Sequence, residues 1–353
     1  MSSKPVSPTI ESLTLLWQRV LRRSVVGLDD NFFDLGGDRS SAIELVAAIK
    51  QLSGRDVPPF ILYHAPTIAA LADYLAQSVP PRFSPLVPLR SGSRLPPVFM
   101  AHGIGSSVID FLPLLKHLQT DRPIYGMQAC GSDGVDAPLD SIEAMARYNL
   151  QAVTLVQPKG PYFLIGYSFG GLVALEMAQQ LSAAGEKIAL LAMLDAYPPP
   201  RSMPAKQRVR LFGNQLARHV SIIKKLRVRE SLAYVFHDSE RRLYDSVDLS
   251  TNHRRRLEAP PDLPLTLAML RMRQAASLAL LHYRPRFYQG DAKFVSPEIK
   301  SVFPDNPAAI WQGLLGSFDL QTVPGNHDGM LNVHAAALAS VLSAYLCDAG
   351  SPQ

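Results

Sequence analysis

Cysteine is scarce. The chain of 353 residues contains two, Cys130 and Cys347, too few for a disulfide framework or a cysteine zinc site and suited to a reducing, cytoplasmic compartment. Long apolar runs are also missing. The longest, Ile188 to Leu194, is far short of the ~20 residues of a membrane span, and the opening residues do not read as a secretory leader. Nor is there a large excess of one charge. Lysine and arginine total 35 against 30 acids, a net charge of +5, which points to nucleic acid only where it is clustered around a recognition motif. What is present is ordinary globular composition, 47% hydrophobic and 18% charged, over a length that accommodates two domains.

The first part, residues 7–78, carries helical patterns and no strand pattern. Ser7-Pro8 offers an N-cap followed by proline at the first helical position, after which Ile10, Leu13, Trp17, Val20 and Leu21 recur at helical spacing. A second helix is expected from about Ser40 to Leu52, ended by Gly54, and a third from Thr67 with Ile68, Leu71, Tyr74 and Leu75 on one side. Together they make a small helical bundle. Residues 79–96 are rich in proline and polar residues (Pro80-Pro81, Pro85, Ser91-Gly92-Ser93) and read as a linker.

From residue 97 to 350 the pattern alternates. Short apolar runs at Val98–Ala101, Ile124–Ala129, Tyr162–Gly166, Ala189–Leu194, Ala292–Val295 and Phe318–Val323 are separated by helical stretches. Apolar runs of this length fit buried parallel strands, and the alternation predicts an α/β fold. Residues 201–283 break the rhythm with mostly helical signals and read as a helical insertion.

The strongest motif is Gly166-Tyr167-Ser168-Phe169-Gly170, a G-x-S-x-G pentapeptide. It follows an apolar strand run and precedes a helical stretch, as a nucleophile elbow requires. An ordinary glycine-rich turn is the alternative. A serine hydroxyl needs a base oriented by a carboxylate, and in this architecture the chain order is serine, acid, histidine. Asp195 ends the apolar run Ile188–Leu194, which places it at a strand's carboxyl end; the bland alternative is a turn aspartate before Pro198-Pro199-Pro200. Of nine histidines, His327 alone follows the final strand run in a loop, after Pro324-Gly325-Asn326. His102 lies ahead of the serine and fits the oxyanion loop His102-Gly103-Ile104-Gly105. The backbone N–H groups of Ile104 and Phe169 are the expected oxyanion donors.

These features are similar to a known pair of domains. Residues 97–346 resemble the thioesterase domains that end nonribosomal peptide and polyketide assembly lines, a branch of the α/β-hydrolases. The resemblance rests on Gly-Tyr-Ser-Phe-Gly-Gly at 166–171, Asp195, Gly-Asn-His at 325–327 and the His-Gly-Ile-Gly loop. It implies a mostly parallel sheet, a helical lid at about 201–283, and release of an acyl or peptidyl chain from a carrier thioester by hydrolysis or cyclisation, without a metal. Residues 7–78 resemble an acyl or peptidyl carrier domain, a small four-helix bundle, through Asp30-Asn31-Phe32-Phe33-Asp34-Leu35-Gly36-Gly37-Asp38 and Ala42-Ile43-Glu44-Leu45. In that family the serine after Gly-Gly-Asp bears 4′-phosphopantetheine. Here Arg39 holds its position, with Ser40 and Ser41 following. The domain is then an unloaded docking module, one whose modification is blocked by an introduced substitution at Arg39, or one that uses Ser40 after a local rearrangement. The partners implied are carrier proteins or upstream synthetase modules, and a free-standing editing thioesterase is the alternative enzymatic role.

The basic charge concentrates in the insertion. Residues 201–260 hold 14 basic against 6 acidic side chains, with clusters at Lys224-Lys225-Leu226-Arg227-Val228-Arg229 and Arg254-Arg255-Arg256. A solvated helix face is the plain reading. Attraction of an acidic or phosphate-bearing partner is the functional one, and nucleic acid is disfavoured because no recognition motif accompanies the charge.

Overall fold

The computed structural model describes residues 8–55, 57–77, 84–132, 136–214, 267–299 and 306–349. Most of the expected insertion, including both basic clusters, His219, His237 and His253, lies outside the described residues.

The helical part begins with α1 (Ile10–Leu21), capped by Thr9, whose hydroxyl accepts from the Ser12 N–H at 3.2 Å. The cap is therefore Thr9 and not Ser7, and Pro8 precedes the helix. α2 (Arg39–Ser53) is capped by Asp38 and stopped by Gly54 at φ 72°. A single turn, α3 (Ile61–His64), and α4 (Ile68–Ala76), capped by Thr67, complete the bundle. Leu13, Trp17, Phe32, Leu45, Ile49, Ile61 and Leu71 form its core. Ile109, from the second part of the chain, is buried in the same cluster.

Seven strands form one sheet in the order β1-β3-β2-β4-β5-β6-β7. They are β1 (Leu86–Arg90), β2 (Val98–Ala101), β3 (Ile124–Met127), β4 (Tyr162–Tyr167), β5 (Ile188–Leu194), β6 (Tyr288–Pro297) and β7 (Leu315–Val323). β1 runs antiparallel to β3, and all other pairings are parallel. Alternate residues of the central strands serve opposite faces. Phe99 and Leu164 pack with residues of α6 (Ile142–Val156) and α7 (Phe169–Ala183), whereas Val98, Met100, Phe163 and Ile165 pack with the short α5 (Leu112–Leu115) and the C-terminal helix Ala335–Asp348. A mostly parallel sheet with helices on both faces is the α/β architecture that the alternating pattern predicts.

Two differences from the sequence reading have plain causes. The expected linker 79–96 contains β1, hidden by its proline. Pro88 has no N–H to give, which an edge strand tolerates. β6 spans ten residues, not four. Its polar first half pairs with β7 only, so Asp291 lies within the strand opposite Ser317 instead of ahead of it. Among the described residues no helix is long and apolar enough to cross a membrane.

Candidate active site

Ser168 stands between β4 and α7 at φ 55°, ψ −122°, a strained conformation for a residue with a side chain. Two main-chain bonds hold it there. Its N–H donates to the Leu194 carbonyl at 2.8 Å, and its carbonyl accepts from the Gly171 N–H at 3.0 Å. The turn closes only because its neighbours lack side chains. A Cβ on Gly170 would lie 2.2 Å from the Ala101 carbonyl oxygen, and one on Gly166 would lie 2.2 Å from the Gly170 oxygen. Gly170→Ala is therefore expected to cost about 1–3 kcal/mol, the range for forced overpacking. Chemical denaturation measures the cost, and reactivity at Ser168 should fall with it.

Asp195 follows β5 at φ 45° and its N–H donates to the Val295 carbonyl at 2.8 Å, which turns the carboxylate out of the sheet's line. The side chain is 4% exposed, and Oδ2 is 2.6 Å from Nδ1 of His327. Since a carboxylate only accepts, Nδ1 carries the proton of this bond, which leaves Nε2 to face away from the acid. The histidine is also held from behind. Tyr167 stacks on its ring at 4.8 Å and donates its hydroxyl to the His327 carbonyl at 3.0 Å. Burial, and then the nearby carboxylates, push the Tyr167 hydroxyl's pKa up, so it stays a donor. Sequence reasoning missed Tyr167. Its only signal was its place beside the serine in the pentapeptide.

The structure thus brings Asp195 and His327 into contact and sets Ser168 directly after the tyrosine that stacks on the histidine. Among the described residues no hydrogen bond joins the Ser168 hydroxyl to His327. Such bonds are often long without substrate and tighten when it arrives. The glycine loop after β2 lies against the serine: a Cβ on Gly103 would be 3.3 Å from the Ser168 Cβ. Phe169 opens α7, so its N–H belongs to the first turn, where no intrahelical acceptor exists. Ile104 follows Gly103 and packs, half-buried, against the core.

His102 opens that loop, with Nδ1 donating to the Gly103 carbonyl at 2.9 Å. Burial lowers its pKa below 6.5, and the Arg39 charge adds to the effect; burial does the same at His64. Both are neutral in the folded protein at neutral pH. The unfolded chain takes up protons at about pH 6.5, where the folded chain does not, so stability falls as pH drops below 6.5. Comparing denaturation midpoints at pH 7.5 and 5.5 should show this loss, and His102→Gln should reduce it.

Beside the glycine loop opens a pocket of about 680 Å³, its mouth included. Met127, Met145, Met269, Met272, Phe169 and Val173 give it an apolar wall. Asn149, on α6, contributes a carboxamide whose oxygen is buried and, among the described residues, without a partner. Met269 and Met272 come from the helix Leu267–His282, inside the expected lid. The ends of that insertion are clasped: Arg201 donates to the Tyr283 carbonyl at 3.0 Å. The Tyr283 hydroxyl donates to Glu176 at 3.2 Å, and Arg286 pairs with the same buried carboxylate at 3.2 Å. Among the described residues no cluster could hold a metal ion.

The carrier-type attachment position does not fit a phosphopantetheine group. Arg39, the first residue of α2, has no hydroxyl. Ser41 is used in the helix cap, its Oγ accepting from the Asp38 N–H at 2.7 Å and donating to Asp38 Oδ1 at 2.8 Å. Ser40 is exposed but lies one helical position, about 100°, away from Arg39.

Comparison with known proteins places these features in a family. The thioesterase domain family matches residues 96–346, and the phosphopantetheine attachment site family matches residues 11–75. A dimodular nonribosomal peptide synthase of Bacillus subtilis is 40% identical over 195 residues, covering 55% of this chain and 8% of that protein. Indigoidine synthase of Dickeya dadantii is 34% identical over 190 residues, covering 54% of this chain and 13% of its own length. The chain thus corresponds to a small part of these relatives. Among solved structures, a four-domain nonribosomal peptide synthetase matches 98% of this chain and 27% of its own at 24% identity, with a TM-score of 0.57. YbtT, a type II thioesterase, matches 76% of this chain and all of its own at 16% identity, with a TM-score of 0.53. These likenesses show a shared fold. With the matched family spanning most of its length, the chain belongs to the thioesterase domain family, hydrolases acting on thioesters, and carries a phosphopantetheine-attachment-type domain ahead of the catalytic fold.

Proposed function

We propose that this protein is a serine thioesterase that releases an acyl or peptidyl chain from a carrier-bound thioester in nonribosomal peptide or polyketide synthesis. The observation that carries the reading is the 2.6 Å bond between Asp195 and His327 beside the strained Ser168 turn. His327 Nε2 takes the Ser168 proton as Oγ attacks the thioester carbonyl. The N–H groups of Phe169 and Ile104 receive the oxyanion. The C–S bond then breaks, and the leaving sulfur takes the proton from His327. Water, deprotonated by the same imidazole, cleaves the acyl-serine and yields the free acid; a nucleophile within the chain yields a ring instead. The methionine-rich pocket suits an apolar acyl segment, and the Asn149 oxygen suits a donor on that segment. The test is a fluorophosphonate probe on the whole chain followed by peptide mapping. The adduct is expected on Ser168, and labelling elsewhere overturns the reading.

One observation favours delivery of that substrate by a different molecule. With Arg39 at the attachment position, the chain's own N-terminal domain carries no thioester, and the acyl group comes from a carrier of a separate module. Delivery from another molecule is a trait shared with the editing alternative, although the fused domain is unlike a free-standing editing enzyme.

A further inference from the structure

The residue standing where the attachment serine belongs makes bonds to the catalytic domain. Arg39 Nε is 3.2 Å from Asp110 Oδ1, and its guanidinium donates to the Gly105 carbonyl at 3.4 Å. Gly105 lines the pocket beside Ile104. Asp110 is 9% exposed and lies in the 3₁₀ turn Val108–Phe111; its Oδ2 also accepts from the Ser107 N–H at 3.3 Å. On either side of this ion pair the contact is apolar: Ile109, 1% exposed, is part of the helical domain's own core, and Leu112 packs against it. Half-buried Tyr63 from α3 stacks on Phe33, and burial, then the nearby Asp110 carboxylate, raise its pKa.

We propose that Arg39 and Asp110 form a latch that keeps the unloaded N-terminal domain seated at the pocket mouth, where it competes with an incoming loaded carrier domain. The proposal rests on the thioesterase reading for its substrate, but the latch itself is a matter of geometry. Among the described residues, a serine at position 39 leaves the buried Asp110 without a cation, so the domain would sit there only transiently. Arginine supplies a fixed charge at the same point and removes the hydroxyl that would make the domain a substrate carrier. The surface at residues 108–112 is thus occupied in cis, and the partner it fits is a second carrier domain that bears a serine at the equivalent position.

Three measurements on the full chain test this. Treatment with a phosphopantetheinyl transferase and coenzyme A should leave the intact mass unchanged, and Arg39→Ser should gain the group; a gain on the unaltered chain overturns the proposal. Hydrogen exchange at the amides of residues 105–112 should be slow, become faster in Arg39→Ala, and be restored in Arg39→Lys; no change in Arg39→Ala overturns it. Hydrolysis of an octanoyl thioester on a separately expressed carrier domain should rise about three- to tenfold in kcat/KM in Arg39→Ala, as loss of a partly exposed ion pair allows. Hydrolysis of octanoyl-N-acetylcysteamine, which needs no docking, should change less than twofold. Faster exchange without a gain on the carrier-borne substrate also overturns the proposal. If neither thioester is cleaved by any variant, the catalytic reading fails, and hydrogen exchange still decides the latch.

Discussion

Ser168→Ala should lower thioester hydrolysis by about 10⁴–10⁶-fold, the loss seen when a triad nucleophile is removed. The residual rate reflects what survives. The proposed oxyanion donors are main-chain groups of Ile104 and Phe169, and the substitution leaves both in place. Alanine retains a Cβ in the same strained turn, so the fold should stand; the Ser168 backbone bonds to Leu194 and Gly171 do not involve the hydroxyl. Denaturation midpoints should therefore match, while acyl-enzyme formation, read by intact mass with a slow thioester, disappears. Retained acyl-enzyme in the alanine variant would remove Ser168 from its role.

Asp195→Asn is expected to cost about 10⁴-fold in kcat with much less effect on KM. Asp195 is buried and spends Oδ2 on the Nδ1 proton of His327. An asparagine can turn its NH₂ toward that nitrogen, which forces the proton to Nε2. The imidazole then meets the serine with a donor where an acceptor is needed. The imidazolium that forms during attack also loses its neighbouring negative charge. Tyr167 still stacks on the ring, so position is largely kept and chemistry is lost. A stopped-flow burst of thiol release should slow by the same factor as steady-state turnover. Equal burst rates in the two proteins would show that the carboxylate does not orient the base.

The candidate site's residues stand out in the sequence for a physical reason. The serine, acid and histidine each follow an apolar run that ends in a turn, and a parallel sheet brings such ends to one edge. The α2 and α4 boundaries were legible for a similar reason: Gly54 stops the one and Thr67 caps the other through strictly local bonds. What was hidden depends on partners distant in sequence. β1 forms because β3 offers an edge, and Pro88 masks it. The N-cap of α1 was placed two residues early because Ser7 and Thr9 have the same chemistry, and only the bond from Ser12 selects between them. Tyr167 supports a residue 160 positions away, a relation no periodicity records. The meeting of Arg39 with Asp110 is of the same kind: the substitution is visible in the sequence, its acceptor is not.

The glycine-packed turn around Ser168 divides the molecule into a part that evolution can retune and a part that it cannot. At positions 166 and 170 the obstacle to any side chain is main chain, which no compensating replacement nearby can remove. The hydroxyl's coordinates are in that sense inherited with the scaffold. The facing wall is made of Met127, Met145, Met269 and Met272, unbranched and individually replaceable. Diversification toward new acyl groups should therefore accumulate as exchanges along that wall, with the reaction geometry passed on unaltered from one specificity to the next.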